Sequence, residues 1–497
     1  MSVSDKHVWH ERARGLKAEW RAFIDGEYRP ALSGETFEST NPATGQKIVD
    51  IAACDTADVD AAVAAARKAF EAGVWSRRAP VERKQIMQRF AQSILDHREE
   101  LALLESLNVG KPISNAYNGD IVSSASCIQW YGEAIDKLYG EYVPGAPDMT
   151  TMVIPEPLGV VAAVVPWNFP LSMACWKLGP ALAAGNSVVL KPAEQSPLTA
   201  IRIAQLAVEA GIPPGVLNVV PGFGETAGRA LGLHMDVDAV GFTGSTAVGK
   251  LFLQYAGQSN IKRVTLECGG KSPQIVMADC PDLDAAAEAV AKGIFSNSGQ
   301  VCNAGSRVIV ESSIRDALLD KVAGIAGQFV PADPLDPETR MGSIVSEAQF
   351  DRVMSYIDIG RQEGAAALLG GSAVNQGSGG FFIPPTIFSD VRSDMRISQE
   401  EIFGPVLASL AVDSFEQAID VANDSVYALG ASIWTGDVRR AHQAARRLRA
   451  GVVWVNCFDK GSMSAPFGGF KQSGFGRDKS MHAFSKYMDW KAVWIAS

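Results

Sequence analysis

Apolar and polar positions follow two different rhythms along this chain, and the change comes near Gly159. Before it, "DTADVDAAVAAARKAFEAG" and "APVERKQIMQRFAQSILDHREELALLESLNVG" repeat apolar residues at three- and four-residue steps. That is the period of a helix with one buried face. Asp55 or Thr56 can cap the first helix, and a proline opens the second. After Gly159 come short β-branched runs, "GVVAAVVP", "NSVVLKP", "GVLNVVPG" and "VDAVGFTG", separated by the helical stretches "CWKLGPALAAG" and "SPLTAIRIAQLAVEAG". Strands alternating with helices predict a parallel sheet with right-handed crossovers. A second alternating series, "SPQIVMAD", "AAAEAVAKGIF", "SRVIVESS" and "IRDALLDKVAGIAGQ", predicts another α/β unit. A ligand cleft is expected where the two units meet. "EYVPGAPDMTTMVIPEP" and "YMDWKAVWIAS" read as strands outside both series, suited to an extended arm that pairs with another subunit.

Composition narrows the class. A chain of 497 residues is too long for one core, so two or three domains are expected. Its net charge of −10 argues against nucleic acid as a partner. The seven cysteines (Cys54, Cys127, Cys175, Cys268, Cys280, Cys302 and Cys457) are odd in number, scattered, and form no CxxC pair. They read as reduced thiols, with no disulfide framework and no metal site. The N-terminal segment lacks the apolar core of a secretory signal. The most apolar stretch, from Gly159 to Leu190, is broken by Pro166, Pro170, Lys177 and Pro180, so no membrane span is expected. These features predict a soluble, cytoplasmic protein.

One cysteine stands apart. Cys302 in "SNSGQVCNAGS" sits among small polar residues and glycines, where the chain suits exposure and close backbone approach. It is either an ordinary loop cysteine or a nucleophile at the bottom of a cleft. Glu267 ends the apolar run of "RVTLECGGKSP", and a carboxylate there is costly unless paired or functional. Asn168, in "VVPWNFP", is held between Pro166 and Pro170. A thiolate, a carboxylate base and an amide donor make a full set for acyl chemistry. The six histidines fall outside these motifs, which disfavours a Cys–His hydrolase.

Two glycine turns suggest anion sites. "PGFGETAG" (Gly222, Gly224, Gly228) is one residue too widely spaced for the dinucleotide fingerprint. "FTGSTAVGKL" resembles a phosphate loop through Gly244, Gly249 and Lys250, but Leu251 stands where a magnesium-binding hydroxyl is needed. What remains is a strand, a turn and a helix N-terminus, a good anion site or a simple tight turn. "KPAEQSP" puts Lys191 and Glu194 at the carboxyl end of a strand, either as a solvated pair or facing a ligand. A carboxylate there would bind both hydroxyls of an adenosine ribose and repel a 2′-phosphate.

In order and spacing, "VPWNFP", "LKPAEQSPL", "FTGSTAVG", "TLECGGKSP", "GQVCNAGSR", "EEIFGPV" and "PFGGFKQSGFGRD" resemble the aldehyde dehydrogenase superfamily. The resemblance implies an α/β fold with two parallel-sheet domains and a β oligomerisation arm. It divides the chain into a Rossmann-type NAD-binding domain (20–138 and 160–268), a catalytic domain (269–477) and the arm (139–159 and 478–497). It implies that Cys302 is the nucleophile, that Asn168 and the Cys302 backbone N–H hold the oxyanion, and that Glu267 activates the hydrolytic water. It assigns NAD to Val165, Pro166, Trp167, Asn168, Lys191, Glu194, Gly224, Gly244, Ser245, Gly249, Gly269, Glu401 and Phe403. Lys177 and Asp478 match positions of a proton path. Homodimers or homotetramers are implied, with a small-molecule aldehyde as the ligand.

Within the superfamily the chain is most similar in look to bacterial enzymes for γ-glutamyl-aminobutyraldehyde and other ω-aminoaldehydes. Its pocket-mouth segment "NCFDKGSMSAPFGG" departs from them, with Ser462 where they tend to carry an acid and Lys460 added. Asp120 and Asp459 remain. Trp130, Tyr131, Met173, Trp176, Val301, Phe458, Asp459, Lys460 and Phe467 are the expected wall. An aromatic or uncharged aldehyde is therefore expected, with an aminoaldehyde as the alternative. A non-catalytic protein on the same fold is the alternative of a different class.

Overall fold

The computed structural model describes residues 5–496. Its sheets contain eight, seven, three and two strands. In the largest, the β-branched runs become the parallel strands Val160–Val164, Ser187–Lys191, Leu217–Val219, Ala239–Gly244 and Arg263–Cys268. From Val160–Val164 the chain builds out to Leu217–Val219, then crosses back to place Ala239–Gly244 and Arg263–Cys268 on the other side. The strand order thus reverses between Val160–Val164 and Ala239–Gly244, whose carboxyl ends frame the crevice where such sheets take ligands. Every residue of Val160–Val164 and Ser187–Lys191 is buried, as expected for strands with helices on both faces.

The second sheet holds Pro273–Val276, Arg307–Glu311, Thr386–Ser389, Val406–Val412, Gly430–Trp434 and Val452–Val455 in parallel, with Ala366–Leu369 antiparallel at one edge. The two arm-like segments pair with each other. Met488–Ala496 runs antiparallel along the whole of Met149–Pro157, and Glu141–Val143 adds the third strand. Trp490 and Trp494 on the outer strand are exposed. Ser497, the last residue of the expected arm, lies outside the described residues.

Some sequence expectations need correcting. The boundary at 269 is crossed by the returning chain, because Gly474–Phe475 pairs antiparallel with Arg263–Cys268 and joins the first sheet. Gly474 makes this approach possible, since a Cβ there would lie 2.1 Å from the Leu266 carbonyl oxygen. The long helical stretch is two helices, Pro80–Asp96 and Arg98–Val109, separated at His97, whose backbone leaves the helical region. The helix Thr56–Ala72 does begin where its cap predicts: Asp55 accepts from the Ala57 N–H, and Asp58 accepts from the Asp55 N–H. Among the described residues no helix is long and apolar enough to cross a membrane, no acidic, histidine or cysteine group is arranged to hold a metal, and the seven cysteines are unpaired.

Candidate active site

The segment that delivers Cys302 is held in an unusual backbone state. After the helix Leu283–Phe295, three successive residues take left-handed conformations: Asn297 (φ +48°), Ser298 (φ +56°) and Gly299 (φ +71°). Each non-glycine residue held this way costs on the order of 1–3 kcal/mol, so the surroundings must impose it. They do so through buried side chains. Asn297 donates from Nδ2 to the carbonyls of Asn168 (3.3 Å) and Gln300 (3.2 Å). The Ser298 hydroxyl donates to the Gly342 carbonyl, and Gln300 Oε1 accepts from the Val345 N–H. A Cβ at Gly299 would lie 2.2 Å from the Gly404 carbonyl oxygen, so only glycine fits.

Asn168 joins this lattice. Its Nδ2 donates to the Gln300 carbonyl at 2.9 Å, which fixes the amide and leaves its second N–H uncommitted. The backbone N–H of Cys302 has no partner among the described residues.

Two cavities meet at the cysteine. One, of about 420 Å³, lies against the switch point of the first sheet and is lined by Pro166, Trp167, Asn168, Gly244, Ser245, Glu267, Gly269, Glu401 and Phe403. The other, a funnel of about 500 Å³, is walled by Trp176, Val301, Asp459, Lys460, Ser462 and Phe467. Cys302 and Met173 belong to both walls. The thiol is the point at which whatever fills one cavity can react with whatever fills the other.

The charges around that point are few and mostly carboxylates. Glu267 is buried, and its Oε1 has no hydrogen-bond partner. Burial, with the Asp478 carboxylate as the next cause, raises it to about 8. Glu401 is raised to about 7 by loss of water, although its Oε1 accepts from the Gly270 N–H at 3.2 Å. Gly269 is open for the same carboxylate, since a Cβ there would lie 1.8 Å from Glu401 Oε1. Burial and the carboxylates of Glu267, Glu401 and Asp459 push the Cys302 thiol well above its ordinary value. Behind Glu267, Lys177 Nζ lies 2.6 Å from Asp478 Oδ2, and Lys486 grips the other oxygen.

The expected cofactor residues divide by position. Ser245 caps the helix Thr246–Gln258, its hydroxyl accepting from the Val248 N–H, so the turn "FTGS" does open a helix N-terminus onto the cleft. Phe403 is itself left-handed (φ +61°) and meets Trp167 edge to face at 5.2 Å. Val165 donates its N–H to the Lys191 carbonyl, and Lys191 Nζ lies 3.2 Å from Glu194 Oε2. Gly249 lies against Cys268 and Leu266, where it serves helix-to-strand packing rather than the cleft wall. Gly224 opens the short helical turn Gly224–Gly228 and is not on the cleft wall, while Phe223 before it shares a cavity with Glu194.

The funnel also differs in part from expectation. Trp130 packs edge to face on the fully buried Tyr131, and neither is on the wall. Phe458 lines a neighbouring cavity of about 370 Å³ that shares Val301, Asn303, Asp459 and Lys460 with the funnel. Its ring lies against Gly293, which a Cβ would crowd at 2.9 Å. Asp120 is on the wall but already holds buried Lys111 at 2.5 Å. Asp459 accepts from Asn303 Nδ2 at 2.8 Å. Sequence reasoning missed Gln349 and Arg352 in the cleft and Lys479 in the funnel. The first two carry no motif, while Lys479 follows the matched Asp478 directly.

A thiol shared by a switch-point cleft and a funnel, with a buried carboxylate and an uncommitted amide beside it, is arranged for covalent chemistry at the cysteine. The sequence profile of the aldehyde dehydrogenase family matches residues 28–493, and the chain belongs to that family. It is similar to the NADP/NAD-dependent aldehyde dehydrogenase PuuC of Escherichia coli, at 52% identity over 98% of both chains. Among solved structures it is similar to a Pseudomonas syringae indole-3-acetaldehyde dehydrogenase, a C302A mutant in complex with NAD+ and IAA (56% identity, TM-score 0.98, 99% of both chains). A γ-glutamyl-γ-aminobutyraldehyde dehydrogenase from Burkholderia cenocepacia is close behind (53% identity, TM-score 0.97, 99% of both chains).

Proposed function

We propose that this protein oxidises an aromatic or uncharged aldehyde to its carboxylic acid, with NAD as hydride acceptor and Cys302 as nucleophile. The observation that carries this reading is the place of Cys302 on the walls of both cavities. The cleft suits the cofactor. Thr246–Gln258 begins there, and first-turn N–H groups of a helix favour phosphate. Glu401 spends one oxygen on the Gly270 N–H and keeps the other for a ribose hydroxyl. When bound, NAD accepts the hydride that leaves the substrate carbon.

The chain's own residues perform the remaining steps. The Cys302 thiol gives its proton to water, the thiolate sulfur adds to the aldehyde carbon, and the second Asn168 N–H and the Cys302 N–H receive the developing oxyanion. Loss of hydride leaves a thioester on Cys302. Glu267, as carboxylate, then takes a proton from water, whose oxygen adds to the thioester carbon as the thiolate departs. Sulfur serves both steps because it is a strong nucleophile and a good leaving group. An assay of NADH absorbance over a broad aldehyde panel tests the reading: no turnover of any aldehyde would leave the non-catalytic alternative standing.

Substrate preference rests on the wall charges. Asp120 shares Lys111 with buried Glu105 and Asp459 accepts one hydrogen bond from Asn303, while Lys460 and Lys479 add positive charge to the same wall, so an ammonium meets no dedicated carboxylate partner there. A cation that loses water without such a partner suffers a desolvation penalty. We expect higher kcat/KM for aryl or uncharged aliphatic aldehydes than for aminoaldehydes. Ser462→Asp should shift that ratio toward the amines, and Lys460→Ala should most affect carboxylate-bearing aldehydes. The aminoaldehyde reading keeps its place because Asp120 and Asp459 do stand on the wall. A wild-type preference for aminoaldehydes of about tenfold, 1.4 kcal/mol, would favour it.

Coenzyme choice rests on Glu194, whose one-third-exposed carboxylate lies beside buried Lys191. Two like charges about 4 Å apart repel by roughly 4 kcal/mol at an effective dielectric near 20, before compensation by Lys191. A quarter of that is about fivefold in affinity. Glu194→Ser should therefore lower the NAD-to-NADP ratio of kcat/KM by about fivefold. A wild-type preference for NADP would overturn the assignment. A cytoplasmic homodimer or homotetramer joined through the outer strand Met488–Ala496 completes the proposal, supported by its exposed Trp490 and Trp494.

A further inference from the structure

Lys479, like Lys460, is a funnel cation with no carboxylate within ion-pair distance among the described residues. Its Nζ lies 4.4 Å from the centre of the Trp176 ring and 5.5 Å from that of Phe467. The two rings meet edge to face at 5.3 Å, so the ammonium rests on a ready-made aromatic wall. No carboxylate of the described residues comes within ion-pair distance of it. Asp478, its neighbour in sequence, is taken by Lys177 and Lys486, and Asp459, which accepts from Asn303, favours the ammonium from beyond ion-pair distance.

The backbone is bent to present this side chain. Lys479 (φ +57°) and Ser480 (φ +51°) are both left-handed, held by the buried Asp478 ion pairs on one side and the Ser480 N–H bond to the Met463 carbonyl on the other. The ammonium lies alongside Gly461, 3.8 Å from where a Cβ would stand, an ordinary contact distance. A surface lysine would need none of these arrangements.

We infer that Lys479 is a specificity-determining residue of the funnel: its ammonium already occupies the aromatic faces a cationic substrate would seek, and with Lys460 it presents positive charge to a substrate carrying a carboxylate or carbonyl oxygen. Aromatic faces attract one cation at a time, and a second ammonium brought to the same rings meets like-charge repulsion. The substrate class that fits is an aldehyde with an aryl or acyl body, neutral or anionic at its distal end. This inference rests on the aldehyde-oxidising reading above and adds Lys479 to the residues that set its charge preference.

The test uses the full-length enzyme with NAD and three aldehydes of one ring framework: benzaldehyde, para-carboxybenzaldehyde and para-(trimethylammonio)benzaldehyde. Each is measured as kcat/KM, and as KI against propionaldehyde oxidation where turnover is slow. Lys479→Met keeps the apolar stem and removes the charge. It should raise the trimethylammonio-to-benzaldehyde ratio by about tenfold and lower the carboxy-to-benzaldehyde ratio by a similar factor. KM for NAD should stay within about twofold, which serves as the control for folding, and Lys479→Arg should keep the wild-type ratios. Ratios unmoved by Lys479→Met would overturn the inference. The wild-type ranking is a separate readout. If it favours the cation while Lys479→Met still moves both ratios, the substrate reading falls and the role of Lys479 stands.

Discussion

Cys302→Ala is expected to abolish aldehyde oxidation, with a loss in kcat of at least about 10⁴-fold, the scale seen when a covalent nucleophile is removed. Any esterase activity should vanish with it, because ester hydrolysis would use the same sulfur. NAD binding should survive largely intact, since Cys302 contributes one wall residue among many to the cleft. Fluorescence or calorimetric titration with NAD, run beside a stopped NADH assay, separates the two effects. Substantial turnover by the alanine variant would remove the nucleophile assignment. The unusual conformations at Asn297 and Ser298 predict that the variant keeps its fold, because their restraints come from Asn168, Gln300 and Gly342 rather than from the thiol.

Glu267→Gln should cut steady-state kcat by about 10²–10⁴-fold, the range of a general base. The loss should fall on deacylation, so a pre-steady-state burst of NADH should persist or become clearer. Absence of the burst would make Glu267 the activator of the thiol instead. The pH dependence has a definite sign. In the proposed deacylation Glu267 acts as a carboxylate, and burial raises it to about 8. The deacylation rate should therefore fall as pH drops below about 8 and level off above it. In the glutamine variant that limb should be absent. A kcat that is flat from mildly acidic to alkaline pH in the wild type would contradict the assignment.

Local signals carried much of the fold into the sequence. The Asp55 cap, the β-branched runs and their alternation with helices depend on neighbours within a turn or strand, and they appear where expected. The core of the site was legible because Cys302, Glu267 and Asn168 each sit in a motif whose glycines and prolines have a local steric reason. What escaped depends on distant chain. His97 interrupts a pattern whose apolar period continues through it. Gly474–Phe475 joins the first sheet only because the C-terminal chain returns there. Trp130 and Phe458 have the right side chains for a substrate wall, yet one packs on Tyr131 and the other against Gly293. Lys479 looked like any charged residue beside a motif, and its value lies in two rings far away in sequence.

The contact of Gly299 with the Gly404 carbonyl couples two loops that would otherwise be free to drift. One carries Cys302, and the other carries Glu401 and Phe403 on the cleft wall. An alteration that displaces either loop would disturb the alignment of sulfur and cofactor together, so directed evolution should find this junction intolerant. The funnel wall is built elsewhere, from Asp120 to Trp176 and from Val452 to Lys479, with only Val301–Asn303 adjoining the strained turn. Libraries confined to funnel residues absent from the cleft, such as Trp176, Trp454, Ser462 and Phe467, should retune the accepted aldehyde while the chemistry runs at its original rate.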